Sequence, residues 1–179
     1  IITDDAKNWY EKDYKEKGMD SQRRYPNEEF VRFIGRNYFT LSKHKRKKIK
    51  ILETGCGTCG NLWMVSKEGF SAYGIDFSEE SIKLAKKLFK KEKLKANFEI
   101  GDFCSMSYKK NFFDSVVDVF SSCILDMHNG KKYIKEVNRV LKKDAVFFSY
   151  FPSKKSQMFN FKTRKMHDKD TLVSLKEKC

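Results

Sequence analysis

The sequence of 179 residues predicts a single α/β domain in which a doubly wound, mostly parallel sheet lies between two layers of helices. One observation is the alternation of short apolar runs with amphipathic segments between residues 48 and 151. Another is a glycine-rich turn directly after the first apolar run, where such a sheet passes from strand to helix. Right-handed crossovers then place a ligand at the carboxyl ends of the strands.

Five strands and three core helices are predicted between residues 48 and 151. The predicted strands cover residues 48–54, 71–77, 96–102, 113–122 and 145–151. The predicted helices cover residues 60–69, 78–93 and 130–144. The second helix illustrates the evidence, because Ser78 is a favoured capping residue and Ile82, Ala85 and Phe89 then share one face.

The segments on either side of this core are expected to differ. Residues 1–47 are predicted to form a helical cap, with helices over 4–18 and 25–39, the second starting around Pro26. Residues 152–179 are predicted to be an incomplete C-terminal part that ends in a helix over 168–179. We expect a monomer or a homodimer. In the homodimer, the other subunit would cover an exposed sheet edge.

Composition limits the possible partners. The net charge is +14, but Lys outnumbers Arg 31 to 7, which favours a solvated surface over a dedicated nucleic-acid reader. Nucleic acid therefore stays open as a less favoured partner. No apolar run is long enough to cross a membrane, and the three His are scattered, so neither a membrane protein nor a metal site is predicted. Five irregularly spaced Cys favour reduced thiols and a cytoplasmic protein.

The stretch "ILETGCGTCGNLW" (51–63) supports more than one interpretation. Cys56 and Cys59 form a CxxC pair, but no second pair completes a zinc site, and a disulfide would distort the turn. Gly55, Gly57 and Gly60 form a turn that lets a ligand approach the backbone closely. These glycines also satisfy GxGxxG, so the turn alone does not exclude NAD.

Acidic residues at the strand ends favour a nucleoside ligand. Glu53 lies near the end of the first strand, Asp76 at the end of the second and Asp102 at the end of the third. Asp76 follows Glu53 by 23 residues, which is typical of a carboxylate that binds ribose hydroxyls. Phe77 and Phe103 follow two of these acids, and we expect them to enclose a purine ring.

These residues resemble the class I S-adenosylmethionine-dependent methyltransferases, which have a Rossmann-like fold. The matching segments are "ILETGCGTCGN", "YGIDFSEESI", "FEIGDF", "FFDSVVDVFSSCILD" and "EVNRVLKKDAVFFSYF". The resemblance implies that S-adenosylmethionine is bound by Glu53, Gly55, Cys56, Gly57, Asp76, Phe77, Asp102, Phe103, Phe120 and Ser121. Cys59 replaces the family's third glycine, and the family's C-terminal strand hairpin is missing from the pattern.

The resemblance implies methyl transfer to an acceptor by in-line displacement. The fourth strand lacks the motifs of base-modifying methyltransferases, so a small-molecule acceptor is favoured. His128 is a weak candidate for a base, and Tyr10 and Tyr14 for a lid over the cofactor or substrate. The alternatives are a nucleic-acid methyltransferase and a non-catalytic protein that retains the fold.

Overall fold

A computed structural model describes residues 4–153, 155, 165–166 and 172–174. Its main sheet contains β1 (Lys50–Thr54), β2 (Ser71–Asp76), β3 (Ala96–Ile100), β4 (Phe113–Val119) and β5 (Leu141–Tyr150). The strand order is β3-β2-β1-β4-β5 and every pairing is parallel. The predicted α/β class is therefore confirmed, and the order reverses direction at β1, where such sheets bind ligands.

Helices cover both faces of this sheet, so the central strands β1 and β4 are buried at most positions rather than at every second one. The helices are α1 (Asp4–Lys17), α2 (Glu28–Tyr38), α3 (Lys43–Arg46), α4 (Gly60–Lys67), α5 (Glu79–Lys91) and α6 (Met127–Val140). Ile51 and Val117 point into a core with α2, α4 and α5. Their neighbours Leu52 and Val116 point into a second core, where Tyr133 of α6 is fully buried.

The second N-terminal helix begins later than predicted. Its N-cap is Asn27, whose side chain accepts a hydrogen bond from the Phe30 amide, so Pro26 lies before the helix. Asn61 in turn accepts a hydrogen bond from the Asn27 amide at 2.8 Å. This bond joins the start of α2 to the first turn of α4.

The boundary between α6 and β5 also differs from the prediction. α6 begins at Met127 rather than at residue 130, because Asp126 caps it by accepting from the Asn129 amide at 2.7 Å. The helix ends at Val140, and β5 begins at once with Leu141. The strand takes in residues that we predicted to be helical, and its pairing with β4 is irregular there, with Asp144 at a φ of 62°.

The C-terminal region departs from the prediction where it is described. β6 (Lys165–Met166) and β7 (Leu172–Ser174) form an antiparallel pair in a sheet of their own. The helix predicted over 168–179 is therefore wrong at 172–174, and its remaining residues lie outside the described part. Among the described residues, this pair does not extend the five-stranded sheet, so the family's closing hairpin is not part of that sheet.

Candidate active site

The turn after β1 requires glycine at two positions. Gly55 has a φ of 63° and Gly57 a φ of 51°, in the region that side chains with a Cβ rarely adopt. A Cβ on Gly55 would overlap the side chain of Ser121. The Gly55 amide donates to the carbonyl of Ile75 at 2.8 Å, which fixes the turn against β2.

Asp76 connects this turn to the beginning of α5. Its carboxylate accepts hydrogen bonds from the Gly57 amide at 2.8 Å and from the Ser78 amide at 2.9 Å. The side chain is only 4% exposed, and burial is the main reason why its pKa is raised. Each carboxylate oxygen has a further lone pair, so the group retains the capacity to accept from a ligand hydroxyl.

Glu53 has a buried oxygen that the described residues do not satisfy. The residue is 3% exposed, and its Oε1 accepts from the Asn61 side chain at 2.6 Å. Its Oε2 has no hydrogen-bond partner within the described ranges. Burial raises the pKa of this carboxyl to about 8. A carboxylate oxygen that is buried and unpaired is suited to a ligand that brings a cation or a donor.

The CxxC pair forms part of the turn rather than a reactive site. Cys59 is the N-cap of α4 in a left-handed conformation, with a φ of 68°, and its amide donates to the Cys56 carbonyl at 2.9 Å. Both thiols are free and buried, and burial raises the pKa of each. Buried thiols with a raised pKa are poor nucleophiles. No cluster of potential metal ligands was found in the described part of the chain.

The predicted purine enclosure is only half present. Asp102 lies two residues beyond the end of β3, where its Oδ1 accepts from the Cys104 amide at 2.8 Å. Phe103 is 1% exposed and packs edge-on against Tyr133 in the core. The expectation that Phe103 encloses a purine together with Phe77 is therefore corrected, because its ring is used in core packing. Phe77 is half-buried at the margin of the same core.

Helix α1 lies over the turn, as the two predicted lid residues require. A Cβ on Gly57 would lie 3.0 Å from the Tyr14 hydroxyl, so Tyr14 packs directly on the turn. Tyr10 meets the ring of Phe77 edge-on, with centroids 5.9 Å apart. Burial is the largest cause of the raised pKa of both tyrosines. Glu11 fixes this helix to α5 by accepting from the Ser78 hydroxyl and the Glu80 amide.

The end of β4 contains an acid that sequence reasoning missed. Asp118 is fully buried and accepts from the Ser121 amide at 3.0 Å and the Ser122 amide at 3.1 Å. It also accepts from the hydroxyls of Ser122 and Ser149. An acid inside the apolar run "SVVDVF" was the available signal, because a buried carboxylate needs several donors.

Asp118 shapes the loop that carries Phe120 and Ser121. Phe120 has a φ of 62°, and its amide donates to the Tyr150 carbonyl at 2.9 Å. Ser121 donates from its hydroxyl to the Gly55 carbonyl at 3.1 Å. The end of β4 is therefore in contact with the glycine turn. His128, by contrast, is exposed in the first turn of α6.

A segment before α2 also reaches this site, and nothing in the sequence pattern indicated it. The Arg23 guanidinium lies over the ring of Phe120, 5.2 Å from its centroid. A Cβ on Gly60 would lie 2.7 Å from the Arg23 carbonyl oxygen and 3.4 Å from those of Arg24 and Tyr25. Gly60 is therefore needed so that this segment can pack across the start of α4.

The model of a methyltransferase domain family matches residues 45–178, most of the chain. The chain belongs to the class I S-adenosylmethionine-dependent methyltransferases. It is 34% identical over 110 residues to norajmaline N-methyltransferase of Rauvolfia serpentina, covering 59% of this chain and 37% of that one. It is 33% identical over 104 residues to the ubiquinone biosynthesis O-methyltransferase of Pelagibacter ubique, covering 57% and 41% respectively.

A solved structure supports the same fold for this methyltransferase domain. A protein of Pyrococcus horikoshii superimposes with a TM-score of 0.59 and 28% identity, over 75% of this chain and 59% of that chain. The chain spans about two-fifths of the length of the two curated relatives above. In the described part, none of the helices has the length and apolar composition that crossing a membrane requires.

The residues of this methyltransferase domain fit S-adenosylmethionine, the cofactor of the family. The unpaired Glu53 Oε2 is suited to the ammonium group of the methionine part. At Gly55 and Gly57 the space that a Cβ would take is already filled by Ser121 and Tyr14, so the fit to the cofactor rests on the two carboxylates rather than on these glycines. Asp76 has lone pairs available for ribose hydroxyls.

Proposed function

We propose that this protein transfers a methyl group from S-adenosylmethionine to a small-molecule acceptor by in-line displacement. The observation that carries the proposal is the hydrogen bond from the Gly57 amide to the buried Asp76 carboxylate. It holds the glycine turn and the predicted ribose-binding acid together as one unit. The names of two relatives, a norajmaline N-methyltransferase and a ubiquinone biosynthesis O-methyltransferase, are consistent with a small acceptor.

The protein's part in this reaction is mainly positioning. S-adenosylmethionine, when bound, supplies an electrophilic methyl group on a sulfonium sulfur. Glu53 and Asp76 orient the two ends of the cofactor. Tyr10 and Tyr14 on α1 exclude water from the glycine turn. Phe120 and Ser121 border the side from which an acceptor approaches. Asp102 remains the predicted partner of the adenine amino group.

A general base is required only for an acceptor that keeps its proton at neutral pH. His128 remains the predicted base, and its exposed place in α6 means that it reaches an acceptor only at the mouth of the site. His128→Ala would lower kcat if His128 is the base. An unchanged pH–rate profile in this variant would remove it from the mechanism.

The proposal is tested by calorimetric titration with S-adenosylmethionine, S-adenosylhomocysteine and NAD. Wild type is expected to bind S-adenosylmethionine and S-adenosylhomocysteine but not NAD. Asp76→Asn is expected to bind the first two at least about tenfold more weakly, because a carboxylate acceptor is lost. Asp114→Asn is the matched control. Asp114 also lies in the sheet, but at the amino end, where it accepts from the Lys50 amide at 2.9 Å.

The outcomes separate the candidate functions. Equal weakening by Asp76→Asn and Asp114→Asn would show a general loss of stability rather than a ribose site. Cofactor binding without turnover of any acceptor would favour a non-catalytic protein that retains the fold. Binding of a single-stranded RNA oligonucleotide that falls steeply with salt and accompanies its methylation would favour a nucleic-acid methyltransferase.

A further inference from the structure

The guanidinium of Arg23 has N–H donors that no described residue accepts. Its guanidinium lies over the Phe120 ring, with the carbon 5.2 Å from the ring centroid. No acid forms an ion pair with it among the residues that the structure describes. A contact between a guanidinium and an aromatic face does not use the N–H donors as hydrogen bonds, so they stay available to an acceptor. Two such donors match the two oxygens of a carboxylate or phosphate.

The next arginine shows the opposite arrangement. Arg24 donates to the Asp20 carboxylate through its Nε at 3.0 Å and also through Nη2. Its donors are therefore already engaged by an acid of this chain. Arg23 and Arg24 are both exposed, but only Arg24 is paired with a carboxylate among the described residues.

The surface below Arg23 is apolar and held in place by the fold. Phe120 is 36% exposed and Tyr150 is 38% exposed, and their rings meet edge-on with centroids 5.4 Å apart. Phe120 adopts a left-handed backbone conformation, which costs about 1–3 kcal/mol in a residue other than glycine. The amides of Ser121 and Ser122 both donate to the Asp118 carboxylate, and these bonds stabilise this conformation.

This cluster adjoins the glycine turn on two sides. Ser121, the residue after Phe120, lies against Gly55 and donates to its carbonyl. The backbone of Arg23 packs on Gly60, at the other end of the same turn. A molecule that rests on Phe120 and Tyr150 therefore lies beside the turn that the proposed function assigns to the cofactor.

We propose that Arg23, Phe120 and Tyr150 form the acceptor subsite, and that the acceptor carries a carboxylate or phosphate beside an apolar or aromatic portion. This assignment rests on the proposed methyltransferase function. Arg23 binds the anionic group, and the two rings contact the apolar portion. The acceptor is thereby held next to the glycine turn with its nucleophilic atom directed to the methyl group.

The test compares anions with neutral molecules of the same shape. Calorimetry on protein saturated with S-adenosylhomocysteine would use 3,4-dihydroxybenzoate against 3,4-dihydroxybenzamide, and phenyl phosphate against phenol. We expect at least one anion to bind about tenfold or more tightly than its neutral partner, as charge-assisted hydrogen bonds allow. Arg23→Gln is expected to remove this preference, and Arg23→Lys to restore part of it, since lysine keeps the charge without the fork.

Arg24→Gln is the matched control, because it removes one positive charge from the adjacent position. It is expected to leave the preference for the anion within about twofold of wild type, since Arg24 is already paired with Asp20. For any of these molecules that is methylated, Arg23→Gln is expected to raise KM for the anion with little change in kcat. Thermal unfolding confirms that each variant is folded.

Three results would overturn the assignment. One is equal binding of the anions and their neutral partners, or binding of neither, by a protein that does bind S-adenosylhomocysteine. Another is an equal loss in Arg23→Gln and Arg24→Gln, which would indicate only the general positive charge of the chain. The third is an unchanged preference in Arg23→Gln. Failure of S-adenosylhomocysteine itself to bind would instead overturn the proposed function on which the assignment rests.

Discussion

The turn after β1 and the ends of β4 and β5 lie side by side, but they are built differently. The first region is closed, since Glu53, Asp76 and Tyr14 are buried and the glycines of the turn lie directly against neighbouring side chains. The second is open, with the rings of Phe120 and Tyr150 partly in solvent below the Arg23 guanidinium, which forms no ion pair with any residue that the structure describes. The comparison indicates that the region around the glycine turn tolerates little change, whereas the ends of β4 and β5, where we propose the acceptor subsite, are stable without being filled.

The largest effect is expected from closing the glycine turn. Gly55→Ala places a Cβ on the Ser121 side chain at a positive φ, and we expect a loss of about 4 kcal/mol in unfolding free energy. Binding of S-adenosylhomocysteine should weaken by about a hundredfold or more. Gly130→Ala in α6 is the control, because nothing lies within 4 Å of its added Cβ, and it should gain about 0.5–1 kcal/mol. Urea unfolding and calorimetry measure both, and near-normal binding by Gly55→Ala would contradict the closed arrangement.

The next effect concerns Glu53 and depends on pH. Its pKa is about 8 in the folded protein against an ordinary value of 4.5, so the folded state holds a proton that the unfolded state releases. Its contribution to stability is complete below pH 4.5 and is lost as pH rises through 8. Relative to Glu53→Gln, wild type should lose a few kcal/mol across this window, since a difference of one pKa unit corresponds to about 1.4 kcal/mol. Urea unfolding of both proteins at several pH values measures the difference, and a constant difference would disprove the burial argument.

A smaller effect is expected at the open region. Asp118→Ala leaves the amides of Ser121 and Ser122 unpaired, and we expect a loss of about 2–3 kcal/mol. Asp118→Asn should cost only about 1 kcal/mol, because its amide oxygen still accepts from those two amides while the serine hydroxyls rotate. Unfolding free energies distinguish the two variants. Equal losses would mean that the negative charge matters more than the hydrogen bonds.

The smallest effect is expected at Cys59. Its φ of 68° is unfavourable for any residue with a Cβ, so Cys59→Gly relieves strain while losing a buried thiol. We expect this variant to lie within about 0.5 kcal/mol of wild type. Cys59→Ala should lose about 1 kcal/mol, because it loses the buried thiol without relieving the strain. Guanidinium titration resolves the order of the three proteins. If alanine is the better replacement, the left-handed conformation carries no strain.

The sequence predicted the closed region better than the open one, for a physical reason. The turn depends on local signals, namely glycines at fixed spacing and acids at strand ends, and Gly55, Gly57 and Asp76 lie where these signals placed them. Arg23 comes near Phe120 only through the packing of distant segments, which no local pattern encodes. Phe103 follows an acid just as Phe77 does, but the core already uses its ring.

Element boundaries were missed where a capping residue or an irregular pairing decides them. The helix predicted over 130–144 begins at Met127 instead, because Asp126 caps it. Lys142 and Lys143 were included in that predicted helix, although they lie in the irregular first part of β5. At 172–174, an apolar pattern compatible with a helix is instead paired with another strand.

The packing of residues 23–25 on Gly60 also determines how the chain meets a protease. Trypsin cleaves after arginine, and it needs the backbone around the cleaved bond to be extended and free. Arg23 and Arg24 have exposed side chains, but their carbonyls face the Gly60 backbone. These two peptide bonds therefore become cleavable only when the segment leaves α4, and their cleavage rate reports how often the N-terminal helices separate from the sheet.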